Sequence, residues 1–487
     1  MKKRFFVHEN VLSSSKGAAK LEKDFKWYES SVPCRSSCPA DTDIPSYLEA
    51  IYKKDFNKAY QINLEDNVFP EILGRVCSRP CEDNCRHSKD NNGESVAICF
   101  AKRSSGDFKS KTFKVLPYAK NSKKKIAIIG SGVAGLTCAR ELKRFGHSIE
   151  IFEKHKSPGG MLNQGIPIFR LPRKVIDKEI KQITDMGIKI HCRHAVETQE
   201  DLNQLSKNFD AVVLAMGTLK PNKIDQDFST CDDVEDGLDF LLRVNEYKSK
   251  VVGKNVVIIG GGYTAMDCSR VALRLGAKTV KTFYRRDVGD LVILPGELEE
   301  LENEKGKMLF NARPLNLIVK NGHLVGLEFI KTQLNKKAKL IDIKNSKFSI
   351  KTDHIILAIG QRQNFNSINK IIKYKTKINK SVSNFKFEKN VFTAGDYALG
   401  ATTLIDAIAH AKNSAKAVDK YLMKRIMHKS FITVKNVKTT NRNLEMNYIP
   451  MNKMPTLKFN ARNNNNEVEI GYKKNQSINE SSRCYLC

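Results

Sequence analysis

The chain has 487 residues, 41% of them hydrophobic, and a formal net charge of +30. This length is too great for one hydrophobic core and predicts about two to four domains. No apolar run approaches the ~18–20 residues that cross a bilayer, and no apolar signal segment follows the basic N-terminus. These features exclude a membrane-spanning protein and lead us to expect a soluble, cytoplasmic one.

The positive charge has two explanations. Most of the excess is lysine, and asparagine is also abundant, which is typical of proteins from AT-rich genomes. A field of this sign also steers acidic partners, such as a small acidic carrier protein or an acidic subunit. No signature of a nucleic-acid-binding fold accompanies the charge, so we expect no nucleic acid partner.

Residues 1–120 are predicted to form a small helical domain that carries a series of cysteines. Ile44–Tyr52 opens a helix with a proline in its first turn, and Asp55–Leu64 has apolar residues at helical spacing. The cysteines fall at the ends of such pieces: Cys34, Cys38, Cys77, Cys81 and Cys85. Because the twelve cysteines of the chain cluster unevenly, a secreted disulfide framework is excluded. We interpret these five as metal ligands.

Residues 121–250 begin with the pattern of a dinucleotide-binding domain. The strand Lys125–Ile129 leads into a glycine loop and then a helix. The loop contains the three glycines of the fingerprint, Gly130, Gly132 and Gly135. They make the tight turn, admit a pyrophosphate and let helix and strand pack closely. Glu153 ends the next strand, where a carboxylate binds ribose hydroxyls, so the sequence predicts a nucleotide site here.

Residues 251–362 repeat this order and predict a second nucleotide site. The strand Asn255–Ile259 precedes a loop formed by Gly260, Gly261 and Gly262. The next strand ends in Arg285 and Arg286 rather than in an acid. Arginine pairs with a 2′-phosphate through charge-assisted hydrogen bonds, whereas a carboxylate repels it. We therefore expect NADPH rather than NADH.

Residues 363–425 are predicted to close the first nucleotide site. Gly395 and Asp396 follow the strand Val391–Thr393, and Asp396 is a candidate to accept from a ribityl hydroxyl of a flavin. The helix Leu404–Met423 comes next, and its N-terminus favours reduced, anionic flavin. A polar tail, 426–487, ends in a Cys-x-x-Cys pair, and its composition predicts little order in its middle.

Together these stretches carry a family likeness. The chain resembles the small (β) subunit of NADPH-dependent glutamate synthase and its relatives, including the electron-entry half of dihydropyrimidine dehydrogenase. The matching stretches include Pro33–Pro39, Gly74–Cys85, Gly130–Gly135, Pro158–Met161, Gly260–Asp267, Tyr284–Arg286, Ala358–Gln361 and Ala394–Asp396.

The resemblance implies a fold, a set of cofactors and a partner. The expected fold class is α/β, with two Rossmann-type domains preceded by an α-helical iron–sulfur domain. The implied cofactors are FAD in the first unit, with Gly160 among its binding residues, NADPH in the second, and two [4Fe-4S] clusters. Electrons would pass from NADPH through FAD to the clusters and on to a larger subunit of the glutamate synthase type or an acidic ferredoxin. No catalytic acid or base is predicted.

The chain departs from the family in its cysteines. Relatives usually carry a Cys-x-x-Cys pair just before the stretch that begins at Pro33, and this chain has none there. We hypothesise that the C-terminus folds back, so that Cys484 and Cys487 join Cys34 and Cys85 on one cluster. The other cluster would then be held by a second set, Cys38, Cys77 and Cys81. Its fourth ligand is open between Cys99 and a carboxylate such as Glu94.

Other interpretations of the C-terminal pair remain. Cys487 is a candidate start of a further ferredoxin-like segment, and Cys484 and Cys487 are a candidate redox dithiol. The dithiol would suit an NADPH-dependent disulfide reductase of the thioredoxin-reductase type, although no Cys-x-x-Cys lies between residues 126 and 425. For the function of the whole chain, a third hypothesis is a non-catalytic assembly subunit. The intact glycine loops argue against it.

Overall fold

The computed structural model describes residues 4–8, 31–89, 93–218, 220–224, 228, 231–294, 296–362, 386–424, 431–435, 449–463 and 465–487. Parts of the predicted first domain, of the closing segment 363–425 and of the polar tail lie outside these residues.

The strands lie mostly in the second and third quarters of the chain. They are β1 (Arg4–His8), β2 (Lys125–Ile129), β3 (Ser148–Glu153), β4 (Lys189–Cys192), β5 (Ala211–Leu214), β6 (Lys220–Pro221), β7 (Val234–Asp236), β8 (Asn255–Ile259), β9 (Thr279–Phe283), β10 (Lys307–Leu309), β11 (Ala312–Lys320), β12 (His323–Leu334), β13 (Leu340–Lys351), β14 (His354–Leu357), β15 (Gln361–Arg362), β16 (Lys386–Glu388), β17 (Val391–Thr393) and β18 (Phe431–Lys435).

The helices are concentrated before β2 and between the strands. They are α1 (Pro33–Ser36), α2 (Ile44–Tyr52), α3 (Phe56–Asn67), α4 (Pro70–Val76), α5 (Pro80–Asp83), α6 (Arg86–Lys89), α7 (Ile98–Phe108), α8 (Val133–Arg144), α9 (Met161–Gln164), α10 (Arg173–Thr184), α11 (Gln199–Asn208), α12 (Gly237–Asn245), α13 (Tyr263–Arg274), α14 (Glu297–Asn303), α15 (Asp396–Leu399), α16 (Leu404–Met423) and α17 (Lys474–Ser482).

Helices α1 to α7 form the helical region that the sequence predicts. Proline stands in the first turn of α1, α2, α4 and α5, where its missing N–H costs no helical hydrogen bond. Side chains cap two of the starts: Asp43 accepts from the Ser46 N–H and Asp55 from the Lys58 N–H. Short capped helices of this kind place many helix ends close together, and the cysteines lie at those helix ends.

The first sheet has six strands in the order β16-β17-β5-β2-β3-β4. Strands β17, β5, β2, β3 and β4 are parallel, and β16 is antiparallel at the edge. Strands β2 and β5 are almost wholly apolar and buried, as expected for parallel strands covered on both faces. Helices α8 and α16 pack closely against each other beside this sheet. The closing segment therefore returns to the domain that β2 begins.

The second sheet has five strands in the order β10-β9-β8-β14-β7. A three-stranded antiparallel sheet, β11-β12-β13, is inserted in the chain between β10 and β14. Aromatic rings join the two. The rings of Phe283 and Phe329 stack with centroids 3.9 Å apart, and Phe348 stacks on Phe329 at 5.5 Å. The second glycine loop follows β8, so each parallel sheet carries one loop at the carboxyl ends of its strands.

The helical region is fixed to the first nucleotide domain by polar contacts. The Glu179 carboxylate on α10 accepts from the N–H groups of Glu71 and Ile72 at 2.8 and 3.0 Å. These two buried N–H groups belong to the first turn of α4 and have no acceptor within the helix, so the Glu179 side chain satisfies them. On the other side, Lys412 of α16 donates to the Asp66 carbonyl at 2.9 Å. The cysteine-bearing helices thus lie directly against the domain of the first loop.

The C-terminal tail is held along the protein over residues 449–463 and 465–487. Arg462 forms ion pairs with Glu300 and Glu304 in the second nucleotide domain at 2.7 and 2.9 Å. The Val468 N–H then donates to the Phe169 carbonyl at 2.9 Å. Helix α17 packs on α2 and α7. These residues are held by ion pairs, hydrogen bonds and buried apolar side chains such as Val468 and Tyr472, which differs from the expectation of little order in the middle of the tail. Residues 436–448 of that middle lie outside the described residues.

A buried ion pair anchors the end of α17. Arg483 and Glu480 are fully buried and pair at 2.6 Å. Arg483 also donates to the carbonyls of Ser95 and Glu94 at 2.9 and 2.6 Å, while Glu480 accepts from the Ala97 N–H at the start of α7 at 2.8 Å. The last residues of the chain are thereby fixed beside the N-terminal helices.

We expect Arg483→Met to release this end. The change leaves the Glu480 carboxylate buried without its cation, which costs about 3–5 kcal/mol. Limited proteolysis reports the opening of the tail because the protease cuts the open form, so the variant should be cut there much faster than the parent. Lys453→Met removes the same charge at an exposed position of the same tail and should leave cleavage unchanged. Equal cleavage of Arg483→Met and the parent would show that the pair does not hold the tail.

Candidate functional site

The first glycine loop forms an open cradle at the end of β2. Gly130 has a φ of +98°, and a Cβ there would lie 2.6 Å from the Ala215 carbonyl oxygen. A Cβ on Gly135 would overlap the Gly130 carbonyl oxygen, whereas one on Gly132 would meet no protein atom within 4 Å. Gly160 borders one side of the cradle, since a Cβ built on it would lie 2.9 Å from Gly132 Cα. The space at Gly132 fits a pyrophosphate at the start of α8.

Glu153 lies at the end of β3 beside this cradle. Its carboxylate accepts from the Ser131 N–H and hydroxyl at 2.9 and 2.6 Å and from the His155 N–H at 2.9 Å. These bonds fix the carboxylate at the mouth of the loop. Each oxygen can accept more than one bond, so the predicted contact to a ribose hydroxyl remains available.

The closing segment lies over the same loop. Gly395 has a φ of +63°, and a Cβ on it would overlap the side chain of Ala134 at the start of α8. The Gly395 N–H donates to His410 Nδ1 at 3.0 Å, and burial lowers the pKa of His410 to about 4. The ring is therefore neutral and accepts at neutral pH. The structure thus brings Gly395 to Gly130–Gly135, as flavin closure requires.

Asp396 follows Gly395 and starts α15. Its carboxylate accepts from the Thr402 N–H and hydroxyl at 3.2 and 2.5 Å. Burial raises the pKa of Asp396 to about 6, and the bonds from Thr402 oppose the shift. The group is therefore mainly ionised at neutral pH and remains an acceptor next to the start of α16.

The second glycine loop has the same form at the end of β8. A Cβ on Gly260 would overlap the Ala358 carbonyl oxygen, and one on Gly261 would overlap the Tyr284 ring. Gly262 has a φ of −114° and no protein atom within 4 Å of a Cβ position. Gly262 is also the residue before α13, so open space and a helix N-terminus coincide as they do at Gly132.

Arg285 and Arg286 lie at the same edge of the second sheet. Strands β8 and β9 are parallel, with Ile259 opposite Phe283, so the loop after β8 and the arginines after β9 are neighbours. Both arginines are exposed, and neither forms an ion pair within the part of the chain that the structure describes. Their charges are therefore available to an anionic ligand.

Arg170 connects the two nucleotide domains. It comes from the segment after Gly160 and pairs with Asp267 on α13 at 2.7 Å and with Glu297 on α14 at 2.8 Å. Both partners belong to the second domain, so the two loops are held in a fixed relation.

Four cysteines meet near the surface, here termed the outer group: Cys34, Cys85, Cys484 and Cys487. The pKa of the Cys34 thiol is raised by burial and by the negative charges of the other three sulfurs. All four line one cavity. The ring of His87 stacks on Tyr485 with centroids 4.1 Å apart, and the Arg483 carbonyl lies 2.6 Å from His87 Nε2. These contacts position the segment that carries Cys484 and Cys487.

A second set of cysteines lies deeper, here termed the inner group: Cys38, Cys77, Cys81 and Cys99. Hydrogen bonding to Cys99 and burial raise the pKa of Cys77, and the Cys81 thiol is also hydrogen-bonded to Cys99. The Lys102 ammonium acts electrostatically on all four sulfurs. The predicted Cys38, Cys77 and Cys81 are thus together, and Cys99 completes the set.

The cysteine groups differ from a site for a single metal ion. No three His, Cys, Asp or Glu side chains are placed to hold one ion in the part of the chain that the structure describes. No disulfide joins any of the twelve cysteines. Soft thiolates in groups of four are the donor set of iron–sulfur clusters, and the two groups fit that chemistry.

Comparison with known families supports these assignments. Residues 124–417 match the family described as pyridine nucleotide-disulphide oxidoreductase. The chain belongs to this family. Residues 22–113 match domain II of dihydropyrimidine dehydrogenase, described as a 4Fe-4S cluster domain. The α/β fold class with an N-terminal iron–sulfur domain is confirmed.

Relatives of known name are similar over most of the chain. The β subunit of an NADP(+)-dependent formate dehydrogenase from Moorella thermoacetica is 31% identical over 80% of this chain. The β subunit of an NADPH-Fe(3+) oxidoreductase from Geobacter sulfurreducens is 30% identical over 94%. The glutamate synthase [NADPH] small chain of Escherichia coli K12 is 29% identical over 84%. The chain spans 60%, 75% and 92% of these relatives, respectively.

These relatives confirm the family predicted from the sequence. Each is named as a subunit or chain of an NADP(H)-linked enzyme, which agrees with the predicted NADPH-dependent oxidoreductase rather than with a thioredoxin-type disulfide reductase. The geometry agrees, because Cys484 and Cys487 lie with Cys34 and Cys85 in the helical region and not beside the flavin cradle.

Solved structures support the fold of the nucleotide domains. FprA of Mycobacterium tuberculosis, solved in complex with NADPH, has a TM-score of 0.52 and 15% identity to this chain. The similarity covers 62% of this chain and 85% of that one. None of the helices that the structure describes is both long and apolar enough to span a membrane.

The two open glycine positions give separate predictions for the two nucleotide sites. At Gly132 and Gly262 a side chain meets no protein atom but enters the ligand space. We expect Gly132→Val to reduce FAD affinity by at least about tenfold and Gly262→Val to do the same for NADPH, a loss of about 1.4 kcal/mol or more. Flavin absorbance per chain and NADPH titration measure the two effects.

Gly289 provides the control, because a side chain there also meets no protein atom within 4 Å. Gly289→Val should leave FAD affinity unchanged, and Gly132→Val should leave NADPH affinity unchanged. Full flavin content in Gly132→Val would contradict the placement of the flavin pyrophosphate.

Proposed function

We propose that this protein carries electrons from NADPH through FAD to two [4Fe-4S] clusters and on to a larger partner subunit. The observation that carries the proposal is the presence of two four-cysteine groups in one helical region, packed against the domain of the first glycine loop. The proposed ligands of the outer cluster are Cys34, Cys85, Cys484 and Cys487, and those of the inner cluster include Cys38, Cys77 and Cys81.

The chain's own residues position the cofactors. Gly130, Gly132 and Gly135 with Gly160 would receive the FAD pyrophosphate, Glu153 the ribose, and Gly395 and Asp396 the flavin end. FAD, when bound, accepts two electrons from a nicotinamide and gives them up singly. Gly260, Gly261 and Gly262 would hold the NADPH pyrophosphate, with the 2′-phosphate at Arg285 and Arg286.

The depths of the two cysteine groups suggest an order. Lys412, on the helix that starts beside the flavin cradle, donates to the Ala40 carbonyl two residues after Cys38. Burial raises the pKa of Tyr263, at the second loop, and the charge of Cys77 in the inner group adds to this shift. Cys487 of the outer group is exposed. We infer that electrons enter the inner cluster and leave from the outer one.

The exit face would then lie around Cys487. The three relatives named above are each designated a subunit or a small chain, which supports a protein partner at this face. The net charge of +30 favours an acidic surface on that partner, either on a subunit of the glutamate synthase large-subunit type or on a ferredoxin.

Anaerobic iron, sulfide and flavin analysis of the reconstituted protein tests the cluster assignment. We expect about eight irons per FAD in the parent and about four in a Cys484→Ser/Cys487→Ser variant, because one of two [4Fe-4S] clusters loses two thiolates. Cys192→Ser/Cys231→Ser removes two cysteines from the nucleotide domains and should leave iron unchanged. Iron content that the first double variant does not lower would refute the role of the C-terminus.

Replacing both arginines at the second site should change nucleotide preference. Arg285→Ser/Arg286→Ser removes charge-assisted bonds to the 2′-phosphate, so kcat/KM for NADPH should fall by about tenfold or more while that for NADH is nearly unchanged. Reduction of an artificial one-electron dye measures both values. Lys336→Ser/Lys337→Ser removes two exposed charges elsewhere in the same domain. An equal loss with NADPH in both double variants would indicate a general field rather than phosphate recognition.

A further inference from the structure

The inner cysteine group contains a fourth sulfur that the sequence did not assign. Cys99 stands in the first turn of α7 and is 1% exposed. Side-chain hydrogen bonding links its thiol to those of Cys77 and Cys81, and its backbone N–H donates to Glu82 Oε1 at 2.8 Å. The residue is therefore fixed from both its backbone and its side chain, with the sulfur directed at the other thiols.

The alternative carboxylate ligand points elsewhere. Glu94 is exposed, and its Oε2 accepts from the Met451 N–H at 2.8 Å. Its backbone carbonyl is held by Arg483. Glu94 thus fastens the C-terminal tail, and among the two candidates only Cys99 lies with the inner group.

A buried ammonium stands beside these sulfurs. Lys102 follows Cys99 by three residues and therefore shares its face of α7, and it is only 3% exposed. Its Nζ donates to Asn67 Oδ1 at 3.0 Å, and it forms no ion pair with a carboxylate among the described residues. The ammonium lies within electrostatic range of the Cys99, Cys77, Cys81 and Cys38 sulfurs. A buried ammonium without an ion pair is costly. The buried Glu82 carboxylate also lies within electrostatic range of Lys102, but its ion pair is with Arg79, so thiolates at the inner group are the anions that can balance the ammonium.

A chain of buried hydrogen bonds leads from this ammonium to Cys38. Asn67 accepts from Lys102, and its Nδ2 donates to Thr42 Oγ1 at 2.9 Å. Thr42 Oγ1 lies 3.2 Å from Cys38 Sγ. A metal-bound thiolate has no proton to donate, so the Thr42 hydroxyl donates to the sulfur.

We propose that Cys99 is the fourth ligand of the inner cluster, and that Lys102 and Thr42 raise the reduction potential of that cluster. The inference rests on the proposed function and extends it. One-electron reduction adds one negative charge to the cluster, which a fixed cation and a hydrogen bond to a ligand sulfur both favour. Lys102 and Thr42 are positioning residues, since they act on the cluster through the electric field and through Cys38.

The ligand role is tested with Cys99→Ala, analysed anaerobically as the full chain with its flavin. We expect loss of one to four of the roughly eight irons, with the electron paramagnetic resonance signal of the outer cluster unchanged. Cys268→Ala removes an equally buried cysteine from the second nucleotide domain and should retain all iron. A Cys99→Ala protein with full iron and both cluster signals would overturn the assignment.

The electrostatic role is tested by redox titration of both cluster signals in Lys102→Met and Thr42→Val. In each variant we expect a negative shift of one midpoint potential, the same cluster in both, with the other unchanged. Lys58→Met removes a charge at an exposed position of the same helical region and should shift neither. Unshifted midpoints in Lys102→Met, or in Thr42→Val if Lys102→Met does not fold, would overturn this role.

These outcomes are separable from those of the proposed function. If the parent protein lacks iron or if NADPH does not reduce its flavin and clusters, the proposed function fails. If the parent holds two reducible clusters and the variants behave as the parent, only the assignment of Cys99, Lys102 and Thr42 fails.

Discussion

The buried pair of Arg483 and Glu480 is the contact on which the cysteine chemistry depends. It fixes the end of the chain to the start of α7, and the residues that follow supply half of the outer group. The entropic cost of bringing two distant parts of a chain together grows only slowly with their separation. The buried Arg483–Glu480 pair and the hydrogen bonds of both side chains to the backbone at residues 94–97 offset this cost. The two ends of the chain therefore build one site.

The same region shows how metal and fold depend on each other. Its interior holds the cation of Lys102 beside four thiols and the uncharged, buried Thr42 and Asn67, while the Glu82 carboxylate within its electrostatic range forms its ion pair with Arg79. With neutral thiols this ammonium keeps only the Asn67 carbonyl oxygen as its described hydrogen-bond partner. In the proposed function, thiolates bound to metal would provide the missing negative charge, and cluster binding would contribute to the stability of the helical region.

Much of the fold could be predicted from the sequence because its signals are local. The strands Lys125–Ile129, Asn255–Ile259 and Val391–Thr393 and the helix Leu404–Met423 have the predicted bounds. Each is an apolar run or an amphipathic helix next to glycines whose roles are set by backbone geometry. The glycine cradles followed from the same signals.

The rest depends on contacts that only the folded chain makes. Composition argued against order in the tail, yet Arg462 and Glu480 hold it through partners far away in sequence. Cys99 lies outside the regular spacing of Cys77, Cys81 and Cys85. In a lysine-rich chain, nothing in the sequence distinguishes Lys102 from the exposed lysines. The helical spacing of Cys99 and Lys102 was visible in the sequence, but its meaning required the positions of Cys77 and Cys81.

The arrangement as a whole separates two-electron from one-electron chemistry in space. Arg170 couples the two nucleotide domains, which keeps nicotinamide and flavin in register, while Glu179 and Lys412 hold the helical region against the flavin domain on the other side. The inner group is closed off by protein, and the outer group reaches the surface at Cys487. Since potential follows charge, hydrogen bonding and solvent exposure, the proposed clusters would differ in potential in these two environments even with the same four-cysteine ligation. The buried ammonium would favour an electron on the inner cluster, and solvent at the outer one would make it the point of transfer to a partner.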